Sequence, residues 1–289
     1  MIVQPDWLDK QAYPFASHTL NLDAGQIHYA DEGTGETILM VHGTPMWSFL
    51  YRHLIHDLRD DYRVIALDKP GFGLSDRPTD YGYTPAEQAA TLAAFIQALD
   101  LRDITLVVHD FGGPTGLSYA LDHPQHVKRL VLFNTWMWSL RGDWSKRLVG
   151  GFLSSPLGRM LCLRYNLEVN VIVPGAYGRR SRLTKAIHDQ YRRASADETA
   201  RWAIWVYARE LLASAEWYDS LWARREALRD IPALLLWGMK DPVFTPSYLA
   251  RWQTLFPDAK AVTFPDSGHF VQEEVPDEAL PHLRAFLSE

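Results

Sequence analysis

Apolar runs bounded by glycine, proline and acidic residues recur along this chain, and the spacing of its hydrophobic positions changes twice. Residues 18–22 and 26–30 alternate about Asp23-Ala24-Gly25, which predicts a hairpin of two short strands closed by a glycine turn. Stretches 37–41, 62–67, 104–108 and 127–133 are instead rich in consecutive apolar residues, as expected of strands covered on both faces in a mainly parallel sheet. Residues 84–99 carry a helical pattern, with Thr84 as its cap, Pro85 at the first position and Glu87 in the first turn.

From residue 137 to about 230 the pattern becomes one of helices, turns and arginine-rich polar faces. Gly150-Gly151, Ser154-Ser155-Pro156 and Pro174-Gly175 break it into short helices, and 197–213 predicts a longer one. Strand and helix alternation resumes at 232–237, and 261–264 is the last predicted strand. The prediction is an α/β fold, a mostly parallel eight-stranded sheet with helices on both faces. Its core is formed by residues 1–136 and 231–289, with a helical cap inserted over 137–230. A length of 289 residues suits one core domain carrying an insertion.

Three strand ends carry reactive side chains. The run through Leu106-Val107-Val108-His109 stops at Asp110-Phe111-Gly112-Gly113-Pro114-Thr115-Gly116. The glycines permit a sharp turn and a close helix-to-strand approach, with Asp110 at the apex. A carboxylate is ionised at neutral pH and can attack carbon without a base, although a strand-ending acid can also simply cap the next helix. Leu234-Leu235-Leu236-Trp237-Gly238 runs into Asp241, and 261–264 into Asp266-Ser267-Gly268-His269. In a parallel sheet such ends lie on one edge, so Asp110, Asp241 and His269 can converge.

Composition narrows the possibilities. A net charge of -6 disfavours nucleic acid and anionic membranes as partners and leaves a small apolar substrate and water. The lone cysteine, Cys162, allows no internal disulfide, no ligand cluster or nucleotide fingerprint appears, and neither metal nor organic cofactor is expected. The polar start, residues 1–14, lacks the basic and apolar segments of a signal peptide, which predicts a mature, cytoplasmic protein. No apolar run approaches the roughly 20 residues of a spanning helix. Oligomeric state is not fixed by any of these features.

The turn at Asp110 resembles the nucleophile elbow of α/β-hydrolases, with Asp in place of Ser and Val108 in place of the first Gly. His42-Gly43-Thr44-Pro45 is similar to the H-G-x-P loop of that superfamily, and the stretch from Asp68 to Ser75 to its D-x-x-G-x-G-x-S loop. The order nucleophile, acid, histidine is also theirs. Within the superfamily the chain resembles haloalkane dehalogenases over nearly its whole length, through residues 42–52, Gly238-Met239-Lys240-Asp241 and Gly268-His269-Phe270-Val271-Gln272-Glu273. The resemblance implies Asp110 as nucleophile, His269 as base and Asp241 as its acid partner, since the family's alternative acid position holds Asn134. It also implies an oxyanion hole from the backbone N–H groups of Thr44 and Phe111.

Those dehalogenases usually hold the halide with a Trp directly after the nucleophile and an Asn or a cap Trp, whereas this chain has Phe111 after the nucleophile and Thr44 in the Asn place. Phe111 offers no donor. The leaving-group and substrate pocket is therefore sought among Thr44, Phe111, Trp138, Tyr177, Trp205 and Tyr207. Two other carboxylate-nucleophile activities fit the same motifs. An epoxide hydrolase needs a cap tyrosine, for which Tyr165, Tyr177, Tyr191 and Tyr207 are available, and the β-lactone decarboxylases resemble the dehalogenases. A non-catalytic small-molecule receptor on this fold is the alternative outside enzymes.

Overall fold

A computed structural model of the protein describes residues 4–289; positions 1–3 of the polar N-terminal stretch lie outside it. The predicted hairpin forms as β1 (Ser17–Leu22) and β2 (Gly25–Glu32), paired antiparallel from Ser17 opposite Ala30 to Leu22 opposite Gly25. The apolar runs become β3 (Thr37–Val41), β4 (Arg63–Leu67), β5 (Ile104–Asp110), β6 (Val127–Thr135), β7 (Ala233–Gly238) and β8 (Lys260–Phe264). They form one eight-stranded sheet in the order β1-β2-β4-β3-β5-β6-β7-β8, with every pair from β4 to β8 parallel. β5 is buried along its full length, which is why its sequence shows no alternation.

Helices cover both faces of the sheet. Pro85–Ala98 packs on Gly112–Asp122, and Arg52–Leu58 packs on Pro276–Leu287. The first of these begins with a reciprocal capping box between Thr84 and Glu87, as the sequence predicts. Between β6 and β7 the chain folds into helices, among them Trp144–Ser154, Pro156–Tyr165, Lys185–Ala194, Glu198–Ala213 and Ala215–Ala223. Asp197 caps the longest through the Ala200 N–H. No helix among the described residues is long and apolar enough to cross a membrane.

Among the strands that run further than the sequence pattern indicates, the extensions of β5 and β6 position the site. β5 continues through His109 to Asp110, and β6 includes Asn134 and Thr135, so Asn134 lies inside a strand rather than just after it. Asp110 pairs with Thr135, whose hydroxyl donates to the Asp110 carbonyl at 2.6 Å. This clamp holds Asp110 at φ 51°, a left-handed backbone that costs a non-glycine residue roughly 1 kcal/mol or more. The following turn is too crowded for side chains: a Cβ on Gly112 would lie 2.0 Å from the Val41 carbonyl oxygen, and one on Gly113 1.8 Å from Thr135 Oγ1.

Candidate active site

Asp110 stands at the carboxyl edge of the sheet, 5% exposed. Its Oδ1 accepts a hydrogen bond from the Thr44 backbone N–H at 2.9 Å. Burial opposes its charge, but His269 and the Phe111 N–H outweigh burial and hold the carboxyl below its ordinary range. The loop carrying Thr44 is fixed by His42. The His42 Nδ1–H donates to Gly43 O at 2.7 Å and Nε2 accepts from the Lys69 N–H at 3.0 Å. Both contacts need the neutral ring, and burial keeps it neutral by pushing its pKa down to about 3. Gly43 lets the loop approach, since a Cβ there would lie 2.2 Å from Asp110 Oδ1.

His269 reaches the same edge from the loop after β8. Its Nε2 is 3.6 Å from Asp110 Oδ2, a charge contact beyond hydrogen-bond length, while Nδ1 is hydrogen-bonded to Asp241 Oδ2 at 2.8 Å. The loop is pinned by the His269 N–H donating to Ala176 O at 2.9 Å and by His109 Nε2–H donating to His269 O at the same distance. Burial disfavours the imidazolium, yet the Asp241 and Asp110 carboxylates prevail and raise His269 to about 10. Asp241 is clamped in turn. Asn134 Nδ2 donates to its Oδ2 at 2.8 Å, and the Val243 N–H to its Oδ1 at 2.6 Å. Asn134 also exchanges two hydrogen bonds with the Gly238 backbone, which ties β6 to the turn bearing Asp241.

The pocket candidates separate. Thr44 keeps a buried Oγ1 without a partner. Phe111 packs edge-on against Trp136 and Tyr207, with ring centroids 4.7 and 4.5 Å apart. Three candidates make their contacts elsewhere. Trp138 is consumed in a cluster with Trp222, Trp252 and Arg251, and Trp205 donates its indole N–H to Leu153 O between arginines 159 and 209. Tyr177 lies against Phe270 beside the buried Arg52–Glu273 pair. Tyr191 donates to Glu273, and Tyr165 is 61% exposed. Of the four tyrosines, Tyr207 is the one set edge-on to Phe111.

Two ionisable groups here escape sequence reasoning. Lys69 is fully buried and donates to the Tyr207 hydroxyl at 3.2 Å. Glu168, on the π-helical turn Glu168–Ile172, is also buried and has an unpartnered Oε1. Burial, and then the Asp110 carboxylate, raise Glu168 to about 8. For Glu168 the available signal is a charge between apolar neighbours, Leu167-Glu168-Val169, whereas Lys69 sits next to another charge in Asp68-Lys69-Pro70 and carries no such signal.

The Glu168 carboxyl makes stability depend on pH with a definite sign. The folded chain keeps a proton that the unfolded chain releases above the ordinary value of 4.5, so stability falls as pH rises from there to about 8. Glu168→Gln removes this penalty. Denaturant midpoints should show little gain near pH 4 and a gain of up to ~5 kcal/mol near pH 9, at about 1.4 kcal/mol per pKa unit. A gain independent of pH would contradict the assignment.

The arrangement can carry out nucleophilic attack by a carboxylate followed by base-assisted hydrolysis. A sequence profile of the alpha/beta hydrolase fold family matches residues 36–276. The chain belongs to that family. It is 37% identical over 271 residues to haloalkane dehalogenase 2 of Mycobacterium tuberculosis, covering 93% of this chain and 94% of the relative. A cis-3-alkyl-4-alkyloxetan-2-one decarboxylase of Shewanella oneidensis is 33% identical over 294 residues, covering 96% of this chain and 89% of the relative. In solved structures, the haloalkane dehalogenase DatA of Agrobacterium tumefaciens C58 superposes with a TM-score of 0.84 at 27% identity, over 94% of this chain and 96% of that one. The protein is thus an enzyme of the α/β-hydrolase family, haloalkane dehalogenase-like.

Proposed function

We propose that this enzyme hydrolyses carbon–halogen bonds of small apolar alkanes through an ester on Asp110, releasing alcohol and halide. One observation carries the reading: Asp110 Oδ1 is engaged by a backbone N–H, while Oδ2 faces His269 Nε2 at 3.6 Å. Oδ2 attacks the sp³ carbon, and the halide leaves with the bonding electron pair. Water then adds to the Asp110 carboxyl carbon, and the resulting oxyanion develops on Oδ1 between the Thr44 and Phe111 N–H groups. The segment 137–230 serves as the cap that keeps bulk water from the site. With Cys162 buried and unpaired, we read the enzyme as cytoplasmic.

The histidine's charge explains the order of steps. Between two carboxylates His269 is an imidazolium in the resting enzyme and cannot accept a proton. Alkylation of Asp110 removes one of the two anions, so the His269 pKa falls and its Nε2 becomes available to take a proton from water. Asp241 continues to orient the ring.

Two observations favour a strained oxygen ring as a second substrate class. Phe111 supplies no side-chain donor to a halide, and Tyr207 is placed beside it. Purified protein incubated with a 1-bromoalkane, a terminal epoxide and a β-lactone is expected to release bromide and alcohol in equal amounts. No bromide and no turnover of any of the three would contradict the reading.

A further inference from the structure

Lys69 is placed by a loop whose every neighbouring turn is tied down. Asp68 Oδ1 accepts from the Ser48 N–H at 2.7 Å, and its Oδ2 accepts from the Leu74 N–H at 2.9 Å and contacts His28 Nδ1 at 2.8 Å. The Ser75 hydroxyl donates to Asp68 O at 2.6 Å, and the Lys69 N–H goes to His42. The side chain leaves this loop toward Tyr207, with Nζ 4.7 Å from the Tyr207 ring centre and 5.7 Å from that of Phe72. A buried ammonium ordinarily has a carboxylate within ion-pair distance. Lys69 has none among the described residues.

Tyr207 completes the pattern. Its hydroxyl oxygen accepts from Lys69, and no acceptor for its own proton is found among the described residues. Its ring stands edge-on to Phe111, the residue next to the nucleophile. A basic group and an unused O–H donor are therefore held together against Phe111, and both feel the charge of Asp110.

We propose that Lys69 and Tyr207 form the leaving-group subsite, taking up the negative charge that departs when Asp110 bonds to carbon. The proposal rests on the Asp110-ester reading and adds the groups that select its substrate. The shared chemistry is a leaving atom that gains an electron pair. A halide departs as an ion and rests against the Lys69 ammonium and the Tyr207 O–H, with no proton transferred. A ring oxygen stays attached to the substrate as an alkoxide. It takes the Tyr207 proton, Lys69 returns one to the phenolate, and the resulting amine is recharged from water.

The charge on Lys69 is responsive. Burial pushes its ammonium down to about 7, and Asp110 supports it. The titratable groups facing it are Asp110 from the end of β5, neutral His42 from the loop after β3 and Tyr207 from the helix Glu198–Ala213, with Asp68 turned away.

The test measures ester formation in a His269→Ala background by the mass gained on Asp110, with a 1-bromoalkane and a terminal epoxide as probes. Lys69→Met and Tyr207→Phe keep the shape of the buried stem and ring, and Lys69→Met should melt no lower than its parent because it removes an unpaired buried charge. Lys69→Met is expected to slow ester formation ~100-fold with both probes, leaving substrate affinity unchanged. Tyr207→Phe should do so with the epoxide and only ~10-fold with the bromide, which needs no proton. In the unmodified enzyme, ester formation should decline as pH rises through about 7. Formation rates unaffected by both substitutions, or flat from about pH 6 to 9, would overturn the subsite. If the His269→Ala parent gains no mass on Asp110 with either probe while the wild type turns it over, the Asp110 reading itself fails.

Discussion

The His269→Ala variant is expected to accumulate as a covalent adduct on Asp110, with turnover reduced by ~10³-fold or more. Attack by Asp110 requires only an ionised carboxylate. The backbone donors at Thr44 and Phe111 remain when the imidazole is removed. Hydrolysis of the ester does require a base, and His269 is the group whose Nε2 faces the Asp110 carboxyl, at 3.6 Å. Glu168 is protonated in the neutral range and cannot substitute. Intact-protein mass spectrometry should show the added mass of the alkyl group, and peptide mapping should locate it on Asp110. A variant that remains unmodified and retains turnover would remove His269 from the mechanism.

Asp241→Asn is expected to slow ester breakdown by about 10²–10⁴-fold while leaving ester formation nearly intact. Asp241 Oδ2 accepts from both His269 Nδ1 and Asn134 Nδ2, each at 2.8 Å. An amide at this position can no longer accept from both neighbours with the charge of a carboxylate. The ring then loses the anion that fixes its Nδ1–H tautomer and stabilises the imidazolium formed as water is deprotonated. Pre-steady-state kinetics separates the two steps. Impairment confined to ester formation would mean that Asp241 does not act through the histidine.

The fold was legible because it rests on patterns that burial imposes. A strand covered on both faces must be apolar throughout, as in β5, and a cap must be a residue such as Thr84 with Glu87 three positions later. The spatial meeting of Asp110, Asp241 and His269 followed from their places at parallel strand ends. The pocket was less legible because its lining depends on how the helices between β6 and β7 dock, which no short-range pattern encodes. Trp138 and Trp205 look identical in sequence to ligand-facing aromatics, yet arginine stacking and the Leu153 carbonyl occupy them. Lys69 was hidden inside a loop motif whose glycine and serine positions drew the reading, although its side chain is the part that reaches Tyr207.

The carboxylate-nucleophile claim is tested most directly by turnover in ¹⁸O-water. Each cycle through an Asp110 ester returns the water oxygen to the carboxylate and sends an Asp110 oxygen out with the alcohol. After many turnovers of a bromoalkane, the peptide containing Asp110 should carry ¹⁸O at the Asp110 side chain. An active enzyme whose Asp110 stays unlabelled, with all the label in the alcohol from the first turnover, would contradict the ester mechanism and point to direct attack by water.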